Sequence, residues 1–111
     1  LEPDHYNALY ALGIVHAEEG DFVASLEIFS KARDVMPESI DIQATLADVH
    51  HMAGDTLSAF EVVEKAIQSN LVHPALLERA SQWAGEIGRS DEAKAYQYSL
   101  NEWIKAQEEE G

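Results

Sequence analysis

The stretch His16-Ala17-Glu18-Glu19-Gly20-Asp21 returns as His50-His51-Met52-Ala53-Gly54-Asp55, and its glycine returns once more in Gly88-Arg89. The three glycines stand 34 residues apart. Each closes one apolar-periodic stretch and precedes another. A fixed spacing of this length is the mark of a repeat array of small supersecondary units. Other positions keep the same phase: Pro3 with Pro37, Leu12 with Leu46, His16 with His50, Ala32 with Ala66. The third unit keeps it less closely, with Ala80, Ala84 and Leu100 at the leucine, histidine and alanine positions.

Local signals divide each period into two helices. Pro3 and Asp4 suit a helix start, one by its fixed φ and the other by its charge at the dipole end. A first helix is expected over about 4–19, with Leu9, Leu12, Val15 and His16 on its inward side. Gly20 supplies a turn that needs positive φ, and Asp21 caps a second helix over about 21–35. Leu26, Phe29, Ala32 and Arg33 trace its face, and Pro37 stops it. Ser39 caps a third helix, about 40–53, with Ile42, Leu46, Val49 and His50 inward. A fourth, about 56–69, carries Ala59, Phe60, Val63, Ala66 and Ile67 and ends at Asn70, which tolerates a left-handed C-cap. His73-Pro74 opens a fifth, and Ser90 or Asp91 caps a last one to about residue 107. That last helix carries Lys94 and Gln97 where earlier units have Leu26 or Phe60 and Phe29 or Val63, and Asn101 at a core-edge position, as the end of a stack requires. Its buried seam is Tyr96, Leu100 and Ile104, and Glu108-Glu109-Glu110 reads as a frayed tail.

The first unit reads Leu9-x2-Leu12-Gly13-x2-His16, then Ser25-x3-Phe29, Ala32 and Pro37. The second gives Gln43, Leu46, Ala47, His50, Ala59, Val63 and Ala66, and the third Leu77, Ala80, Ser81, Ala84, Ala93 and Gln97. This pattern resembles the tetratricopeptide repeat over nearly the whole chain. It departs from it in lacking an opening tryptophan, in having histidine for tyrosine, and in Leu71 and Lys105 at the closing proline. The resemblance implies an all-α fold, a right-handed superhelical array of antiparallel helix pairs. The expected units are about 6–39, 40–73 and 74–107, with residues 1–5 as the tail of a preceding repeat. It further implies a non-enzymatic scaffold or adaptor that docks a peptide or subunit. Relatives that clamp a partner's C-terminal carboxylate use lysine and asparagine where this chain has Tyr10 and Ile14, so that specialisation is not expected.

Composition narrows the partner. Twenty-one acidic residues face seven basic ones, for a formal net charge of −14. Such a surface repels a phosphate backbone, so nucleic acid is not expected. No segment approaches the ~18 apolar residues of a membrane helix, so membrane insertion is not expected either. Absence of cysteine excludes thiol chemistry. The charge favours a protein or peptide partner that is basic or apolar.

In a stack of helix pairs the first helices line one concave face. Helical spacing puts Asn7, Tyr10, Ile14 and Ala17 there, then Asp41, Ala44, Asp48 and His51, then Glu78 and Gln82 beside Ala75 and Gly85. These are the candidate partner-binding residues, in a groove suited to an extended or helical segment. His50 and His51 diverge by about 100° on a helix, poor geometry for a shared metal, and no metal or cofactor is expected. His16 and His50 share one packing position, which suits half-buried, titratable imidazoles. No nucleophile elbow, phosphate loop or zinc motif appears, and adjacent Glu18 and Glu19 diverge, so no catalytic residues are assigned. Two alternatives stand beside the scaffold: a regulatory or targeting domain of a larger enzyme, and a self-assembly module pairing through exposed repeat ends.

Overall fold

Three glycines in the left-handed region set the architecture. In the computed structural model, which describes residues 3–110, Gly20, Gly54 and Gly88 have φ of 80°, 86° and 83°. Each closes a helix with the same pair of backbone bonds. The amide after the glycine reaches back five residues, Asp21 to the His16 carbonyl, Asp55 to His50 and Arg89 to Ala84, at 2.8–2.9 Å. The glycine's own amide bonds the carbonyl three residues back. This is a Schellman closure, which residues with a Cβ resist. In the first two turns the aspartate then caps the next helix: Asp21 accepts from the Ala24 amide, Asp55 from the Ser58 amide. Asn70, φ 72°, closes α4 in the same way, with the Leu71 amide on the Ala66 carbonyl.

The described residues form six helices: α1 Pro3–Glu18, α2 Phe22–Val35, α3 Ile40–Met52, α4 Thr56–Gln68, α5 Pro74–Glu86 and α6 Ser90–Glu110. Each packs chiefly on its neighbours in sequence, giving an α-solenoid of three helix pairs. Helix α6 continues past the expected residue 107 through Glu108, Glu109 and Glu110, where a frayed tail was predicted. Its Leu100 is buried and Tyr96 half-buried, but Ile104, expected in the seam, is exposed. The tail predicted for residues 1–5 lies partly outside the described residues, and Pro3 is already helical.

The core sits at the junctions between pairs. Ile42, Leu46 and Val49 of α3 share one cluster with Phe29 and Ala32 of α2 and Ala17 of α1. One period later, Leu76, Ala80 and Trp83 of α5 share a second with Val63 and Ala66 of α4 and Ala44 and Ala47 of α3. The first helix of a pair therefore docks on the pair before it. The equivalent stripe of α1 departs from expectation. Leu12 and Val15, predicted inward, are 48 % and 49 % exposed, against 1 % and 2 % for Leu46 and Val49. Among the described residues no helix precedes α1 to cover them, and helical spacing alone cannot supply that neighbour.

Within the first pair the helices approach closely at Gly13, whose position abuts the Phe29 ring. Buried Ser25 donates its hydroxyl to the Gly13 carbonyl at 2.9 Å. In the last pair Ser81 donates to the Ala93 carbonyl at 3.1 Å. Thus the small residues of the repeat set helix separation, and two of them also form hydrogen bonds across it.

Candidate functional site

The face formed by α1, α3 and α5 is laced from one pair to the next. Tyr10 and Thr45 share a hydroxyl hydrogen bond of 2.9 Å. Asp48 accepts two bonds from the Arg79 guanidinium, at 2.8 and 2.9 Å, while Arg79 also donates to the Ala75 carbonyl. His51 Nε2 lies 3.1 Å from Glu86 Oε1, and its ring stacks on Trp83 at 5.2 Å. The bidentate geometry is the strong form of an arginine–carboxylate pair. That hydrogen bond, with the Asp48 charge, raises the Arg79 pKa further despite partial burial.

The ten candidate residues divide accordingly. Asn7, Asp41, Glu78 and Gln82 are exposed. Tyr10, Ile14, Asp48 and His51 are half-buried, and all but Ile14 are engaged in the links just described. Ala17 and Ala44 are buried in the junction clusters. Gln82 donates to Glu86, so Gln82, Glu86 and His51 form one chain of polar contacts. Asp48 is neutralised in place, and the open charge of this face is that of Asp41, Glu78 and Glu86.

The opposite side holds a feature that helical spacing did not single out. A cleft of about 870 Å³ separates α2 from α4, with α3 as its floor. Arg33 and Asp34 of α2, Pro37 and Glu38 of the connection, and Val62, Lys65, Ala66 and Ser69 of α4 line it. Its floor is polar: Gln43, only 8 % exposed, donates to the Pro37 carbonyl at 2.9 Å, and half-buried His50 lies beside it. Burial holds His50 below the ordinary imidazole pKa; Asp55 opposes that shift and Arg33 reinforces it. The imidazole is therefore neutral near pH 7. His50 and His51 point to different sides of the molecule, one to this cleft and one to Glu86.

No protein-family model matches the chain. Over 68 residues it is 38 % identical to the Tetratricopeptide repeat protein 36 homolog of Nematostella vectensis. The match takes in 61 % of this chain, which spans 38 % of that relative's length. The described residues form a helical-repeat array, and the chain is similar in sequence to that tetratricopeptide repeat protein. Among the described residues of the array, no helix is long and apolar enough to cross a membrane. Helical spacing missed Arg79 as the partner of Asp48; the repeat marks only its position. Arg79 stands one period after Thr45, and each bonds a residue of the preceding pair's first helix, although Asp48 is the counterpart of Ile14 and not of Tyr10.

Proposed function

We propose that the array is a non-catalytic scaffold that docks a partner peptide or subunit along the α1/α3/α5 face. The observation that carries this reading is the lacing of that face at both junctions, by Tyr10–Thr45 and by Asp48–Arg79 with His51–Glu86. A surface fixed before binding loses less conformational freedom on association. The first helices of the three pairs then present Asn7, Asp41, Glu78 and Gln82 to the partner, beside half-buried Tyr10 and Ile14. With Asp48 paired to Arg79, the exposed carboxylates of Asp41 and Glu78 select a basic side chain. The test is a synthetic peptide array probed with the wild type and with Asp41→Lys/Glu78→Lys. Binding of lysine- and arginine-containing peptides lost in a variant of unchanged helicity supports the reading. Equal binding by both proteins refutes it.

A second reading rests on Leu12 and Val15, exposed on α1 where their counterparts Leu46 and Val49 are buried. That stripe suits pairing of two copies or cover by another helix pair. Sedimentation equilibrium across a wide concentration range separates these from a monomer, and Leu12→Glu would abolish a dimer of this kind.

A further inference from the structure

The α2/α4 cleft has a counterpart one period later, between α4 and α6, and the chain fills that counterpart itself. Tyr96 of α6 donates to Glu64 at 2.9 Å and sets its ring edge-on to Phe60 at 6.0 Å. Trp103 brings its indole within 6.3 Å of the His73 ring, and Leu100 is buried between. The residues 34 positions earlier are Val62 for Tyr96, Ala66 for Leu100 and Ser69 for Trp103. All three line the α2/α4 cleft. The cleft thus occupies the place where the next gap holds a phenol, an isobutyl group and an indole.

Its floor differs in kind as well. Gln43 and His50 stand where the next gap has Leu77 and Ala84, both buried and apolar. A buried amide with one protein partner, and a neutral imidazole beside it, offer hydrogen-bonding groups to an occupant. The volume of about 870 Å³ lies within the roughly 300–1,000 Å³ typical of sites that enclose a ligand group. We infer that the α2/α4 cleft is a second docking site, which takes an aromatic side chain carried on a partner polypeptide. In this site the partner's ring takes the place that Tyr96 and Trp103 take in the next gap, and its backbone or ring N–H meets Gln43 and His50. Arg33 and Lys65 stand on the rim with Asp34, Glu38 and Glu61, so the rim carries both signs and the aromatic group is the selecting feature.

A second copy is a poorer occupant. Tyr98, 67 % exposed on α6, is an aromatic that a copy could offer. Tyr98 of one copy in the cleft of another is a heterologous contact, which generates open chains unless its rotation closes. Each copy also carries a formal charge of −14, which opposes association of like with like.

The experiment is amide-resolved NMR of the 111-residue chain titrated with N-acetyl-tryptophanamide, with N-acetyl-alaninamide as the comparison. Saturable shifts at Gln43, Val62, Ala66 and Ser69, with at least tenfold weaker binding of the alanine probe, are expected. Val62→Tyr/Ser69→Trp rebuilds the filled gap and should abolish the shifts while helicity is retained. Should that variant not fold, Ala66→Leu fills the cleft by one counterpart side chain and should weaken binding at least tenfold. No saturable shift, shifts confined to the α1/α3/α5 face, or undiminished binding by a folded, filled variant overturns the inference. A concentration-dependent mass lost both in Tyr98→Ala and in the filled variant assigns the cleft to a second copy and overturns the partner assignment.

Discussion

Replacing Gly13 by alanine tests whether the repeat's small residues set the helix separation. A Cβ at this position would meet three atoms of the Phe29 ring, Cζ at 2.7 Å and Cε1 and Cε2 at 2.9 Å each. Phe29 is fully buried, and Tyr10 packs its ring edge-on at 5.5 Å, so the ring has little room to retreat. Overpacking of this kind costs typically about 1–3 kcal/mol. Against it stands the gain of alanine over glycine inside a helix, about 1 kcal/mol. The balance is a net loss of up to ~2 kcal/mol for Gly13→Ala. Gly85, near the end of α5, has nothing within 4 Å of its ideal Cβ, so Gly85→Ala should show the gain alone, roughly 0.5–1 kcal/mol. Urea unfolding followed by far-UV circular dichroism measures both, and the opposite signs are the prediction.

The second unit shows how the loss can be reversed. There Ala47 replaces the glycine and Val63 the phenylalanine, and both are buried in the same cluster. Phe29→Val alone leaves a cavity and should cost ~2 kcal/mol, below the range for truncation to alanine. The double variant Gly13→Ala/Phe29→Val rebuilds the pairing of the second unit. It should be more stable than the sum of its parts by at least ~1 kcal/mol, a coupling typical of residues in contact. A neutral or stabilising Gly13→Ala would mean that the ring moves freely. Strict additivity in the double variant would refute the pairing argument.

The repeat phase yields further tests. Leu46→Ala should cost ~2–5 kcal/mol by thermal or urea unfolding, and Leu12→Ala at the equivalent half-exposed position well under 1 kcal/mol. The Asp48–Arg79 link is partly exposed, so a double-mutant cycle of Asp48→Asn and Arg79→Met should return at most about 1 kcal/mol, falling as salt rises. Because burial lowers the His50 pKa, the unfolded chain takes up its proton first as pH falls below 6.5. Stability should therefore decline through the window just below pH 6.5, and His50→Ala, which copies Ala84, should flatten that slope. Burial, aided by the bond to Glu64, holds the Tyr96 phenol well above its usual pKa, so one of the four tyrosines should ionise last in a spectrophotometric titration above pH 10, and Tyr96→Phe should remove that late step.

What could be read from the sequence follows from how local each feature is. The turns were legible because Gly20, Gly54 and Gly88 each satisfy a backbone demand within six residues. The caps at Asp21, Ser39 and Asp55 were legible for the same reason. Leu12 and Val15 were misplaced because periodicity names a helix's apolar sides and not its neighbours; their counterparts Leu46 and Val49 are buried by α2. Of the candidate face, spacing found Asp48 and His51. It did not find that Arg79 and Glu86 engage them, since those partners sit 31 and 35 residues away.

The cleft shows where the remaining information lies. In a repeat array the common residues specify the fold, and a position that breaks the period is free to specify something else. Val62 against Tyr96, Ser69 against Trp103, Gln43 against Leu77 and His50 against Ala84 are four such breaks, and all four converge on one gap. Two remove volume and two add hydrogen-bonding groups to a floor that is apolar one period later. Breaks scattered by drift would not gather at one surface, nor change size and polarity together there. Comparing a repeat chain with itself, position by position at its own period, therefore separates the residues that stack the helices from those that distinguish one gap from the next.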